Sequence, residues 1–168
     1  MELDSSTAVL TGAFALYVGL LAIAAATDVW RFIIPNLVSL GLILLLVALG
    51  LYFGQPLAWW GLHLGSGALL LVVGYLAWML RLFGAGDVKL LAAVAIYPGV
   101  GQVHEMLLYI ALAGGLLALV LIALRWAIYM AMVSWGASPA AVGSLPRILI
   151  QRERVPYGVA ISAGAILA

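Results

Sequence analysis

Charge-free apolar runs divide the chain. Residues 5–27 carry no charge, and beyond Asp28 and Arg31 there is no Lys, Arg, Asp or Glu until Arg81. About 20 helical residues cross roughly 30 Å of hydrocarbon, so the second run is long enough for two spans. Gly54-Gln55-Pro56 is the turn that separates them, giving expected spans over 37–53 and 57–80. A shorter run, 88–97, ends at Pro98-Gly99-Val100-Gly101, a longer one covers 106–124, and a last one covers 155–168. At 1.5 Å per residue that last run rises only about 21 Å. The pattern predicts an all-α polytopic membrane protein, a six-transmembrane-helix bundle with 1–168 as one domain. After Arg125 an interfacial helix is expected over 126–135, then a loop through Gly136, Pro139, Gly143 and Pro146 to a basic patch.

Composition makes lipid the necessary solvent. Hydrophobic residues are 67% of the chain and charged ones 8%, against about 25% charged in an ordinary soluble domain. The absence of cysteine excludes disulfides, iron–sulfur clusters, thiolate zinc sites and a cysteine nucleophile. Acidic Glu2 and Asp4 ahead of a long apolar run argue against a cleaved signal peptide.

The placement of the few charges sets the orientation. Six crossings put Arg31, Arg81, Lys89, Arg125, Arg147, Arg152 and Arg154 on one side, which the positive-inside rule makes cytoplasmic. Glu2, Asp4, Glu105, His63 and His104 fall on the other side, with the N-terminus outside. Trp30, Trp78 and Trp126 mark the inner boundary and Trp59 and Trp60 the outer one, as an aromatic belt does. The basic patch at 147–154 meets anionic headgroups of the bilayer, each cation adding about 1 kcal/mol. The two histidines have no evident third ligand, so no metal or other cofactor is expected, and nothing calls for nucleic acid.

Asp28 and Asp87 are the informative acids. Each lies at the inner end of an apolar span, so bundle packing can bring them to one depth. Two facing carboxylates share a proton, one serving as general base toward water and the other as general acid toward a carbonyl. The structural alternative gives Asp87 an N-cap role, worth about 1 kcal/mol, and pairs Asp28 with Arg31. Gly84 and Gly86, directly ahead of Asp87, favour the chemical reading because they permit close backbone approach or positive φ. Lys89 holds the loop, biases the dyad's ionisation, or snorkels to the interface. Asn36 hydrogen-bonds a neighbouring helix end or substrate, or caps its own helix.

Gly84-Ala85-Gly86-Asp87-Val88-Lys89-Leu90-Leu91-Ala92 resembles the GxGD motif and following KLLA of the type IV prepilin peptidases, a group of intramembrane aspartic proteases. Asp28 followed by Arg31-Phe32-Ile33-Ile34-Pro35-Asn36 resembles that family's other aspartate and its Ile-Pro-Asn turn. Val155-Pro156-Tyr157-Gly158-Val159-Ala160 resembles the start of its last helix. The resemblance covers about residues 20–165. It implies Asp28 and Asp87 as the catalytic pair, with Gly84, Gly86, Lys89 and Asn36 in support. The substrates it implies are prepilins and pseudopilins whose short basic leader is cut in the cytoplasm, at a bacterial inner membrane, with the pilus assembly machinery as a further partner. Long members of the family carry an N-terminal region with paired cysteines and also methylate the product. This chain begins its first span almost at once and lacks cysteine, so it resembles the short Flp, or tight-adherence, form, without methyltransferase activity.

Two rival classes stand beside this one. A small proton or cation carrier would use its acids as a relay, yet these cluster at one interface and no inverted repeat is visible. A non-catalytic pilus assembly factor would have no need of both aspartates. Presenilin-like GxGD proteases are disfavoured because Thr27, not Tyr, precedes Asp28.

Overall fold

Three prolines stand directly ahead of helices. Pro35 (φ −63°, ψ 135°), Pro56 (φ −69°, ψ 159°) and Pro156 (φ −73°, ψ 86°) each occupy the N-cap position. A ring-locked φ and a missing N–H are tolerated there, where no intrahelical bond is lost. The structure is a computed structural model and describes residues 2–135 and 155–168. Its elements are α1 (Glu2–Arg31), α2 (Asn36–Tyr52), α3 (Leu57–Met79), α4 (Ala85–Ala95), α5 (Gly99–Trp135) and α6 (Tyr157–Leu167). No strand occurs among the described residues. Helices α1 (over Ser5–Arg31), α3 and α5 (over Gly99–Met132) are long and apolar enough to cross a membrane, and α2 and α6 are shorter apolar helices.

The short fourth run is the centre of the bundle. Val88, Leu90, Ala92, Ala93, Val94 and Ala95 are all buried, and α4 packs against α2, α3, α5 and α6. Protein, not lipid, satisfies this helix, so its 11 residues need not span anything. Small residues let its neighbours close in. A Cβ on Gly67 of α3 would stand 2.4 Å from Ile96 Cγ2 and 3.0 Å from the Ala92 carbonyl oxygen. The α5–α6 contact is equally tight: a Cβ on Gly164 would come within 2.5 Å of the Ile110 backbone.

Where α4 ends, α3 receives its unsatisfied carbonyls. Ser66 Oγ lies 2.6 Å from Ala95 O and 2.7 Å from His63 O, and His63 Nδ1 lies 2.7 Å from Ile96 O. A carbonyl only accepts, so Nδ1 carries the hydrogen. The imidazole also stacks on Trp59 at 4.0 Å between centroids. Beside it, Tyr97 donates to Leu42 O (2.7 Å), Tyr17 donates to Ala165 O (3.0 Å), and the two rings lie 4.5 Å apart. His63 is therefore a helix cap, and among the described residues no three His, Asp or Glu cluster as a metal site would require.

Two expectations about α5 change. The 126–135 segment is not a separate interfacial helix, because α5 runs unbroken from Gly99 to Trp135. Arg125 is a good helix former, and neither Gly nor Pro follows it before Gly136, so nothing ends the helix there. At its start, Gly99 (φ +66°) reverses the chain within the turn after α4, so α5 begins earlier than the apolar run suggested. The expected loop through Pro139, Gly143 and Pro146, and the patch of Arg147, Arg152 and Arg154 with Glu153, lie outside the described residues.

Candidate active site

Asp28 sits in the last turn of α1 and is only 5% exposed. Three residues later the helix stops and Phe32 takes a left-handed conformation (φ 52°), its N–H donating to Asp28 O at 2.9 Å. A bulky residue with positive φ is unusual and costs about 1–2 kcal/mol. The reversal turns the chain through Ile34 and Pro35 into α2, and it folds the 32–36 loop over the aspartate.

The second carboxylate comes from the head of α4. Gly84 is the N-cap, in an extended conformation (φ −74°, ψ 148°), and Asp87 stands three residues on. Asp87 Oδ2 accepts the Gly84 N–H at 3.2 Å, which is the acidic limb of a capping box. The capping reading of Asp87 is thus correct as far as it goes, from the third helical position instead of the N-cap. Gly84 and Gly86 do not use positive φ; they are needed for space. A Cβ on Gly84 would lie 2.9 Å from Asp87 Oδ2, and one on Gly86 would lie 3.3 Å from Ile34 Cβ.

Both aspartates line one cavity of about 240 Å³, together with Phe32, Asn36, Gly84, Gly86 and Lys89. At about 30 Å³ per water, this is room for a few waters or a short extended piece of peptide backbone. Asp87, on the loop side of the apolar stretch that begins at Val88, is pushed from its ordinary 3.8 up to about 6. Burial is the largest cause and the nearby Asp28 carboxylate the second, against a downward pull from the Gly84 N–H.

The expected supporting residues meet as well. Lys89 Nζ donates to Asn36 Oδ1 at 3.0 Å, joining the head of α2 to the head of α4 across the cavity rim. Asn36 makes no side-chain cap on its own helix, whose N-cap is Pro35. Its role is the tie to Lys89.

One residue of the site stands in the third sequence motif without a role assigned to it there. Gly158, at the second position of α6, donates its N–H to Asp28 Oδ2 at 2.7 Å across 130 positions of sequence. Asp28 thereby caps α6 from another helix, supplying the acceptor that Pro156 at the N-cap cannot. A Cβ on Gly158 would meet Asp28 Oδ2 at 2.8 Å and Ile34 Cδ1 at 2.9 Å, so only glycine allows this approach. The available signal is its place in the Pro156-Tyr157-Gly158 motif, a glycine two residues after a helix-starting proline.

A helical membrane bundle with two carboxylates at the head of its central helix defines the class. Residues 15–124 match the model of the type IV leader peptidase family, and the chain belongs to that family. It is also 28% identical over 155 residues to the prepilin leader peptidase/N-methyltransferase of Bacillus subtilis (strain 168), covering 91% of this chain and 53% of that protein. The chain thus spans about half the length of that curated relative. No solved structure matches it significantly. The family match includes Asp28 and Asp87 and stops before α6.

Proposed function

We propose that this chain is an intramembrane aspartic endopeptidase that removes the basic leader of Flp-type prepilins and pseudopilins at the cytoplasmic face of a bacterial inner membrane. The observation that carries the reading is the shared cavity of Asp28 and Asp87, each carboxylate held by a backbone N–H and the second raised by the first. In the proposed reaction the pair holds one proton between them. The ionised carboxylate takes a proton from a water whose oxygen bonds to the scissile carbonyl carbon, while the protonated one gives its proton to the carbonyl oxygen. Collapse of the tetrahedral species breaks the C–N bond, and the departing amine leaves with a proton. The cavity sits at an end of the bundle, where an extended leader emerging from a membrane helix would arrive. The reading of peptidase activity without methyl transfer rests on the absence of cysteine from these 168 residues.

Cleavage of a Flp-type prepilin co-reconstituted with the protein tests this, with product mass compared among wild type, Asp28→Asn and Asp87→Asn. The expected result is a leader lost after glycine and an unmethylated new N-terminus with wild type alone. Full cleavage by either variant would overturn the dyad. A product heavier by a methyl group, formed when a methyl donor is supplied, would overturn the single-activity reading.

A further inference from the structure

We infer that the slot between α2 and α3, floored by α4, seats the apolar helix of the protein substrate, which slides in from the bilayer and presents its inner end to the aspartates. The inference rests on the peptidase reading above and names where that substrate docks. Helices α2 and α3 both pack against α4 and meet one another near their joining turn, where Trp59 and Trp60 lie against Gly50, so a hollow opens between them farther along α4. Each of the three contributes one stripe at helical spacing: Asn36, Ser39 and Ile43 from α2, Gly67 and Leu71 from α3, and Ala92 with its neighbours from α4. The resulting hollow has a volume of about 400 Å³. A second hollow of about 490 Å³, walled by α3 and α4 alone, continues it along α3 as far as Trp78, the two sharing Leu71 and Lys89. From residue 64 to residue 78 of α3 the slot is about 21 Å long, roughly two-thirds of a bilayer core.

Three features favour a peptide helix over a lipid chain as the occupant. Asn36 and Lys89 line both the slot and the aspartate cavity, so the slot opens into the candidate site. Ala68, an exposed small residue of α3, lines the slot, and small residues are what let helices approach one another closely in membranes. Ser39 is 93% buried in the wall, and its hydroxyl has no hydrogen-bond partner among the described residues. A helix laid in the slot offers that hydroxyl a carbonyl or side chain, whereas a hydrocarbon tail offers it nothing.

The cysteine-free sequence makes the test clean. Single cysteines are placed at Ala68 and Leu40 in the slot and at Leu116, an exposed position on α5, in an Asp87→Asn background that holds the substrate uncleaved. Each is oxidised in vesicles with a Flp-type prepilin carrying one cysteine midway along its apolar helix. Disulfides at Ala68 and Leu40, well above Leu116, are expected. In the active protein, Ala68→Trp is expected to lower kcat/KM about tenfold through KM, and Leu116→Trp to leave it unchanged. Cleavage by wild type without slot cross-links overturns the slot and leaves the peptidase standing. Slot cross-links without wild-type cleavage support the seat and overturn the peptidase. Cross-links favouring Leu116 make the slot a lipid site, and neither cross-links nor cleavage removes both readings.

Discussion

Where α4 ends, Ser66 and His63 each reach one of its last main-chain carbonyls, and Trp59 closes over the imidazole. Where α4 begins, Asp28 and Asp87 instead accept from main-chain N–H groups, and their remaining lone pairs face a cavity. Both ends solve the same problem, the unpaired groups at helix termini, with opposite polarity. Donors at the closed end finish their work inside the protein. Acceptors at the open end are anchored by one bond each and keep capacity for something else, which is the arrangement expected of groups that must meet a substrate.

The sharpest way to break this contrast is to neutralise the open end. Asp28→Asn or Asp87→Asn should lower prepilin cleavage by about 10²–10⁴-fold, measured by product mass, with the protein still inserted. Gly158→Ala comes next. Its new methyl group displaces the Asp28 carboxylate, and cleavage should fall about 10–10²-fold in kcat, as for other small misplacements of reacting groups. Should Gly158→Ala retain full kcat, the N–H contact is only a helix cap.

The pH response follows from Asp87. Its neutral form is favoured in the folded protein, so its contribution to stability is complete below the ordinary 3.8 and is lost as pH rises through about 6. Thermal midpoints should fall across that window in wild type and flatten in Asp87→Asn. If protonated Asp87 is the acid, cleavage should decline above about pH 6. The smallest effects belong to the closed end. Ser66→Ala and His63→Ala should each cost about 1–3 kcal/mol of stability by leaving a buried carbonyl unpaired, with cleavage per folded molecule unchanged.

Much of this was legible in sequence because the signals are local. Gly54-Gln55-Pro56 separated α2 from α3, prolines marked helix starts, and two motifs pointed to the carboxylates that the fold brings to one cavity. What was hidden depends on which helices meet. His63 reads as an isolated histidine until α3 lies along α4, and Asn36 reads as a cap until Lys89 arrives from α4. The glycines of the GxGD motif suggested backbone freedom, when their function is to leave room for Asp87 and Ile34. Arg125 suggested a membrane boundary with a change of helix, but one charge in a run of good helix formers does not break a hydrogen-bonded ladder.

The bond from Gly158 to Asp28 also orders events in biosynthesis. At roughly 5–20 residues per second, the ribosome adds the 130 residues between them on the order of ten seconds after Asp28 itself is made. Through that interval α1 to α5 can gather, but the α1 carboxylate lacks its anchoring N–H. A nascent chain therefore carries an unfinished site while it is still being inserted among other membrane proteins, and α6 completes it last.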